Sequence, residues 1–356
     1  MSDNMNIIRV KASKSYNVII GNALLKDSGK YISEVIKPCR AVIVSDNNVA
    51  PLYSQTVKTS LESAGFTSEL FVFPHGEQSK SHKVLLELYD FLSEAGVTRS
   101  DCLIALGGGV TGDLTGFAAA TYLRGIDYVQ IPTSLLAQID SSVGGKTAVD
   151  ISSGKNLVGA FKQPSLVLAD TDTLSTLSDD FFTDGMGEAV KYGMIWSGEL
   201  FDILSGGNIR NDKARLTDMI SRCIDIKREV VENDEFDKGQ RMILNFGHTL
   251  GHSIEKTQDF SGLSHGKAVA VGMYTMTLAA EKHALITEPI SEKLKKCLEA
   301  NGLPFETDIA PGTLYENSVN DKKRFSDRIN IIVCKTIGKA EIINMPLEEY
   351  RKLITE

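Results

Sequence analysis

The segment ILNFGHTLGHSIEK, from Ile243 to Lys256, carries two of the chain's six histidines. His248 and His252 are four residues apart, so on a helix both rings share one face. Such a pair can hold zinc, as in the H-E-x-x-H arrangement. Here Thr249, Leu250 and Gly251 stand between them, and the general-base glutamate of that arrangement is missing. His265 opens a second helical run, HGKAVAVGMYTMTLAA, with Ser264 as a candidate cap. Glu188 lies in DGMGEAVKYG, with Lys191 one turn on. Two histidines and a glutamate would make a three-ligand metal site with one position open to substrate. Taken singly, each is more often a hydrogen-bonded core or surface residue, and spacing alone does not bring Glu188 to the histidines.

A second chemical signal is CLIALGGGVTGDLTGF, an apolar strand, a glycine turn and a helix start. Gly107, Gly109 and Gly112 satisfy G-x-G-x-x-G, which lets backbone approach a pyrophosphate at a helix N-terminus. The usual dinucleotide fingerprint also requires an acidic residue ending the next strand. Asp127 has the spacing but precedes the strand YVQIP, whereas Asp46 ends the earlier strand AVIVSD and is better placed to hold a ribose. A nucleotide site in a non-standard sheet and a turn built for tight packing both fit this loop. GGKT at Gly144–Thr147 resembles the tail of a P-loop, but the motif's first glycine would fall on Asp140, so a nucleotide-hydrolysing P-loop is excluded. Lys146 remains a candidate phosphate ligand or a solvated loop lysine.

These residues need a scaffold. YNVII, RAVIVSD, LFVFP, CLIALGG, YVQIP and SLVLAD read as strands. SKSHKVLLELYDFLSEAG places Val84, Leu85, Leu88, Phe91 and Leu92 on one helical face, with Ser79 or Ser81 at its start and Gly96 at its end. Strands alternating with helices predict an α/β domain with a doubly wound, mostly parallel sheet over residues 1–178. From about Phe181 helical periodicity dominates, with only RINIIVCKT and KAEIINM as strands. Residues 179–356 therefore read as a mainly α-helical domain, and 356 residues suit two domains. The net charge of −8 argues against nucleic-acid binding while leaving room for a local basic pocket. No apolar run suits a membrane span, and MSDNMNIIRV has no secretory pattern. Cys39, Cys102, Cys223, Cys297 and Cys334 contain no C-x-x-C, which points to free thiols in a cytoplasmic protein and not to a thiolate zinc site.

Taken together, GGGVTGDLTGFAAATYLRG, QIPTSLLAQIDSSVGGKTAVD, GKNLVGAFKQP, GMGEAVKYG and NFGHTLGHSIE…HGKAVAVGM resemble the 3-dehydroquinate synthases. The likeness runs in register from about Asp46 to Met273 and continues more weakly to the C-terminus. It implies an NAD-binding first domain and a metal- and substrate-binding second domain. The activity implied is cyclisation of 3-deoxy-D-arabino-heptulosonate 7-phosphate, a sugar-phosphate acid, with loss of phosphate. The implied metal is zinc or cobalt, held by Glu188, His248 and His265, with His252 turned to substrate. NAD contacts would come from Asp46, Asn48, Glu77, Lys80, Gly108, Gly109, Val110, Asp113, Thr133, Ser134, Lys146, Lys155 and Thr176. Substrate contacts would come from Asp140, Lys146, Asn156, Lys191, Lys227, Arg241, Asn245, His252 and Lys322 or Lys323. Of these, His252, Lys146, Lys191, Asn156 and Arg241 would be catalytic. Arg124 would reach the other subunit's site in a homodimer.

The chain also departs from the family pattern. Ser134 replaces a common threonine, Asp237 a common glutamate, and GMGE the commoner GMAE. The His248–His265 spacing is one residue longer, and DKKRFSDRINIIV lacks a glycine. Two alternatives share the likeness: a sibling sugar-phosphate cyclase, and a metal- and NAD-dependent polyol dehydrogenase.

Overall fold

The computed structural model describes residues 5–259, 261–286, 288–319 and 327–356. They form two compact units, one of residues 1–177 with 227–236, the other of 178–226 with 237–356.

The first unit contains strands β1 (Asn6–Val10), β2 (Tyr16–Gly21), β3 (Arg40–Asp46), β4 (Thr67–Phe73), β5 (Cys102–Gly107), β6 (Asp127–Pro132), β7 (Lys146–Ile151), β8 (Gly154–Phe161) and β9 (Leu166–Asp170). Its helices are α1 (Ser28–Ser33), α2 (Ala50–Ser63), α3 (His82–Glu94) and α4 (Gly109–Thr121). Seven strands form one sheet in the order β1-β2-β9-β6-β5-β3-β4. Every pairing in it is parallel except β1 with β2, as the alternation of strands and helices predicts. Successive side chains of a strand face opposite sides. Ala41 and Ile43 of β3 thus pack with α1 and α2 through Ile32, Val57 and Leu61, while Val42 and Val44 pack with α3 and α4 through Leu88, Leu92 and Leu114. A strand covered on both faces must be apolar throughout, which is why RAVIVSD and CLIALGG read as continuous runs.

The chain passes from β3 to β4 on one side and to β5 on the other. The turns following β3 and β5 therefore diverge and leave a crevice at the carboxyl ends of the strands, the place where open α/β sheets bind ligands. Sequence reading misses β1 and the β7–β8 hairpin. GGKT, read as resembling the tail of a P-loop, and GKN lie at the starts of those two hairpin strands.

The second unit comprises α5 (Asp179–Ile195), α6 (Gly198–Ser205), the start of α7 (Lys213–Asn233), α8 (His248–Thr257), α9 (His265–Lys282), α10 (Ser291–Ala300), α11 (Pro311–Val319), a hairpin of β10 (Arg328–Thr336) and β11 (Lys339–Pro346), and α12 (Leu347–Thr355). The part of α7 from Lys227 belongs to the first unit. Among the described residues no helix is long and apolar enough to cross a membrane.

Close approach of α5, α8 and α9 depends on glycine. A methyl group on Gly272 of α9 would strike the carbonyl oxygen of Gly247, just before α8, and one on Gly187 of α5 would strike that of Gly266 on α9. The second contact gives a physical reason for GMGE here. Ser264 occupies the N-cap position of α9 but makes no side-chain cap bond; Asp184 Oδ1 instead accepts from the Gly266 amide at 2.6 Å. Because the obstacle at Gly272 is backbone, Gly272→Ala is expected to destabilise the protein by about 1–3 kcal/mol, the usual cost of overpacking. Thermal unfolding should show the lower midpoint; an unchanged midpoint would mean that α8 and α9 separate freely.

Candidate functional site

In the second unit, Glu188 from α5, His248 from the start of α8 and His265 from the start of α9 converge, each offering one ligand atom within 4.8 Å of the others. Glu188 is 1% exposed. Its Oε1 lies 3.3 Å from His248 Nε2 and 3.6 Å from His265 Nε2, yet accepts no hydrogen bond. Its Oε2 pairs with the buried Lys191. A buried carboxylate oxygen without a hydrogen bond, faced by two imidazole nitrogens, suits a divalent cation, since glutamate and histidine supply the oxygen and nitrogen donors of zinc. The three residues therefore fit a metal.

Each imidazole is oriented from behind. His248 Nδ1 is 3.1 Å from the Phe246 carbonyl, which can only accept, so Nδ1 carries the proton and Nε2 is left as a donor to metal. His265 Nδ1 is 3.5 Å from Glu255 Oε2. Their charge states separate accordingly. Burial holds the His248 pKa down, to about 3, so the ring is neutral. Burial also opposes charge on His265, but Glu188 and Glu255 flank it and raise its pKa to about 10. Burial works against ionised Glu188, and the charges of Lys191 and the two histidines nevertheless hold it well below the usual carboxylate range. His252 is exposed, with its ring centroid 5.5 Å from His248 and 5.7 Å from His265. Arg241 is buried and Asn245 exposed on the 3-10 turn Gln240–Asn245, two residues before α8. Asp237, nearby in sequence, takes a positive φ of 55°.

In the first unit, β5 runs into a turn at Gly108, and α4 begins at Gly109 with Val110 and Asp113 in its first turns. Ser134 Oγ would lie 3.4 Å from a methyl group on Gly108, so Ser134 lines the same turn, and the Thr133 amide bonds Gly107 O at 2.9 Å. Asp46 ends β3, where its Oδ1 accepts from the amides of Asn48 and Val49 at 2.8 and 3.1 Å. Lys80 joins two of these regions: its Nζ lies 2.5 Å from both Asp113 Oδ2 and Asn156 Oδ1. Asn156, in β8, has φ 57°, and its amide donates to Asp150 Oδ1 at 2.7 Å. Burial raises the Asp113 pKa to about 6 against the pull of Lys80. Lys155 Nζ lies 4.0 Å from Glu77 Oε1, and Thr176 Oγ1 lies 2.5 Å from Tyr53 OH. Asp140 sits on the short π-helical turn Ala137–Ser141, where Lys227 Nζ meets its Oδ1 at 2.7 Å. Lys146 is exposed at the start of β7, and Arg124 is exposed on the turn Tyr122–Arg124, where both it and Leu123 have positive φ. Lys322 and Lys323 lie outside the described residues.

The sequence patterns described as 3-dehydroquinate synthase N-terminal and C-terminal match residues 70–184 and 185–324. The chain belongs to the 3-dehydroquinate synthase family. It is 44% identical over 344 residues to the 3-dehydroquinate synthase of Streptococcus sanguinis, covering 95% of this chain and 96% of that one. With the 3-dehydroquinate synthase of Clostridium perfringens identity is 46% over 349 residues, covering 97% and 100%. Among solved structures, a 2-deoxy-scyllo-inosose synthase complexed with carbaglucose-6-phosphate, NAD+ and Co2+ superimposes with a TM-score of 0.86 at 27% identity, over 98% of this chain and 99% of that one. A 2-epi-5-epi-valiolone synthase from Streptomyces hygroscopicus with NAD+ and Zn2+ bound gives 0.86 at 27%, over 97% and 98%.

Within this chain, the sequence motifs left out the residues that hold the site residues in place. Asp184 caps α9, Asp150 anchors Asn156, and the Phe246 carbonyl and Glu255 back the two imidazoles. Acidic side chains within helical segments are the one weak signal by which Asp184 and Glu255 could have been found. The charge on His265 has a direct consequence. A cation bound through its Nε2 must displace a proton that the apo protein holds up to about pH 10. Zinc affinity, measured by chelator competition, should therefore rise about tenfold per pH unit from neutral pH and level off near that value. A flat profile would mean that metal binding displaces no proton from His265.

Proposed function

We propose that the protein is a working 3-dehydroquinate synthase that converts 3-deoxy-D-arabino-heptulosonate 7-phosphate to 3-dehydroquinate and phosphate. The observation that carries this reading is near full-length identity of 44–46% to 3-dehydroquinate synthases, together with Glu188, His248 and His265 grouped about a carboxylate oxygen that accepts no hydrogen bond. Five cysteines without a disulfide among them suit the reducing cytoplasm in which we place the enzyme.

The substrate's phosphate cannot leave directly, because the C–H beside the phosphate-bearing carbon is too weak an acid. A ketone formed transiently next to that C–H acidifies it, phosphate departs, the ketone is reduced again, and the opened ring closes by aldol addition. No net oxidation results. NAD supplies the reversible hydride acceptor, and zinc or cobalt on Glu188, His248 and His265 supplies a Lewis acid at the reacting carbinol.

The chain's own residues bind and orient. The Gly108–Gly109 turn presents backbone amides at the start of α4, a natural cradle for the cofactor's pyrophosphate, and Asp46 at the end of β3 suits its ribose. We assign Asn48, Glu77, Lys80, Val110, Asp113, Thr133, Ser134, Lys155 and Thr176 to the same cofactor. Lys146, Asn156, Lys191, Lys227, Arg241 and Asn245 hold phosphate and carboxylate by charge-assisted hydrogen bonds. Asp140 pairs with Lys227. The exposed imidazole of His252, beside the ligand pair, binds a substrate oxygen. Holding the anion while the ketone exists keeps the intermediate bound until hydride returns. Arg124, carried outward on its strained turn, serves the site of the other subunit in a homodimer.

Two experiments test this. With catalytic NAD and 3-deoxy-D-arabino-heptulosonate 7-phosphate, many equivalents of phosphate should be released per NAD, with no steady build-up of NADH absorbance. Stoichiometric NADH would make the protein a polyol dehydrogenase, and rapid phosphate release from glucose 6-phosphate would make it a sibling cyclase. For assembly, mixing Arg124→Ala with Lys191→Ala protein should restore activity, because each mixed dimer contains one site free of both defects. Failure to recover after verified subunit exchange would remove Arg124 from the partner's site.

A further inference from the structure

Glu255 is in the last turn of α8, buried to 7% exposure. Both features oppose it. A carboxylate near a helix C-terminus meets the negative end of the helix dipole, and burial strips it of water. Such a group persists where a specific partner compensates. Its Oε2 lies 3.5 Å from His265 Nδ1, on the side of the ring away from Glu188, whose Oε1 lies 3.6 Å from Nε2. His248 is arranged in the same way, with Nδ1 on the Phe246 carbonyl and Nε2 towards Glu188. Each imidazole thus has an acceptor behind it and the same carboxylate oxygen in front.

We propose that Glu255 is a positioning residue: it accepts the Nδ1 proton of His265, so that Nε2 is the nitrogen that gives up its proton to the cation, and it aims that nitrogen at the cation. The inference rests on the reading that Glu188, His248 and His265 hold the metal. The two anchors differ in kind. A carbonyl orients His248 without adding charge, whereas a carboxylate also makes the His265 ring a stronger donor. The asymmetry suits a site whose other ligands already include an anionic carboxylate tied to Lys191.

His252, Glu255 and His265 also present ligand atoms within 4.8 Å of one another, as a separate cation site would. Ligation there through His265 Nδ1, the nitrogen facing Glu255, would conflict with a protonated Nδ1 behind a metal on Nε2. The two roles are therefore separable by stoichiometry.

The test uses the full-length protein and Zn2+, measured by competition with a chelator, beside the thermal midpoint of the metal-free form. Once the affinities are corrected for the proton each protein releases from His265, Glu255→Ala should weaken Zn2+ binding by roughly 10–100-fold, the usual effect of removing a carboxylate behind a ligating histidine. EDTA should strip the metal correspondingly faster. Glu255→Gln, which is nearly isosteric and keeps an oxygen to accept from Nδ1, should recover part of that loss, and it retains the test should the alanine variant fold poorly. A lower metal-free midpoint with unchanged Zn2+ affinity would make the role purely structural and overturn the proposal. So would a parent protein binding two Zn2+ of which Glu255→Ala loses one and keeps the other at full affinity. If the parent binds no Zn2+, the three-ligand reading itself fails and the proposal falls with it.

Discussion

A carboxylate removed from water and surrounded by nitrogen governs the second unit. Glu188 is almost wholly buried, and an uncompensated ion there would cost several kcal/mol even after the protein relaxes. Lys191 answers one of its oxygens, and two imidazoles face the other. Satisfying both oxygens requires α5, α8 and α9 to come closer than side chains normally permit. Glycines at 187, 247, 266 and 272 permit it, because nothing projects from them into the neighbouring backbone. The packing of the unit and the chemistry of its centre thus have one physical origin. Glu188 and Glu255 flank His265 and raise its pKa, and a divalent cation held there would take the place of that proton.

The first unit works on a different principle. Its parallel strands end along one edge, and the glycine turn after β5 offers amides with fixed partial charge in place of ionised side chains. Ionised groups near it are paired: Lys80 between Asp113 and Asn156, and Lys227 with Asp140. An acidic protein of net charge −8 thus buries these lysines beside acidic and amide partners. The Lys80 contacts also connect the β7–β8 hairpin, through Asn156, to the first turns of α4.

The family relationship constrains the reading without deciding each residue. Relatives bearing the synthase name align along nearly the whole chain, and two related cyclases share its fold at a TM-score of 0.86. Synthases of different names share this sheet and these helices, so the fold alone does not set the substrate.

Local pattern alone determined the class of fold. Buried parallel strands must be apolar on both faces and must be joined by helices, so RAVIVSD, CLIALGG and SLVLAD declared the sheet, and the change of period after residue 178 declared the helical region. The strand–glycine–helix passage at Cys102–Gly112 was equally legible, because its demand on backbone is local. The β7–β8 hairpin was not legible, since its glycines and short strands look like loops until paired. Nor was Asp184 as the cap of α9, because its partner amide lies far along the chain and Ser264 offered a nearer candidate. His248 and His252 share a helix face by spacing, but only tertiary packing brings Glu188 and His265 to His248 and leaves His252 exposed beside them. Helical spacing is a property of neighbours in sequence, whereas a ligand set assembled from three helices exists only once glycine contacts have set the distances between them.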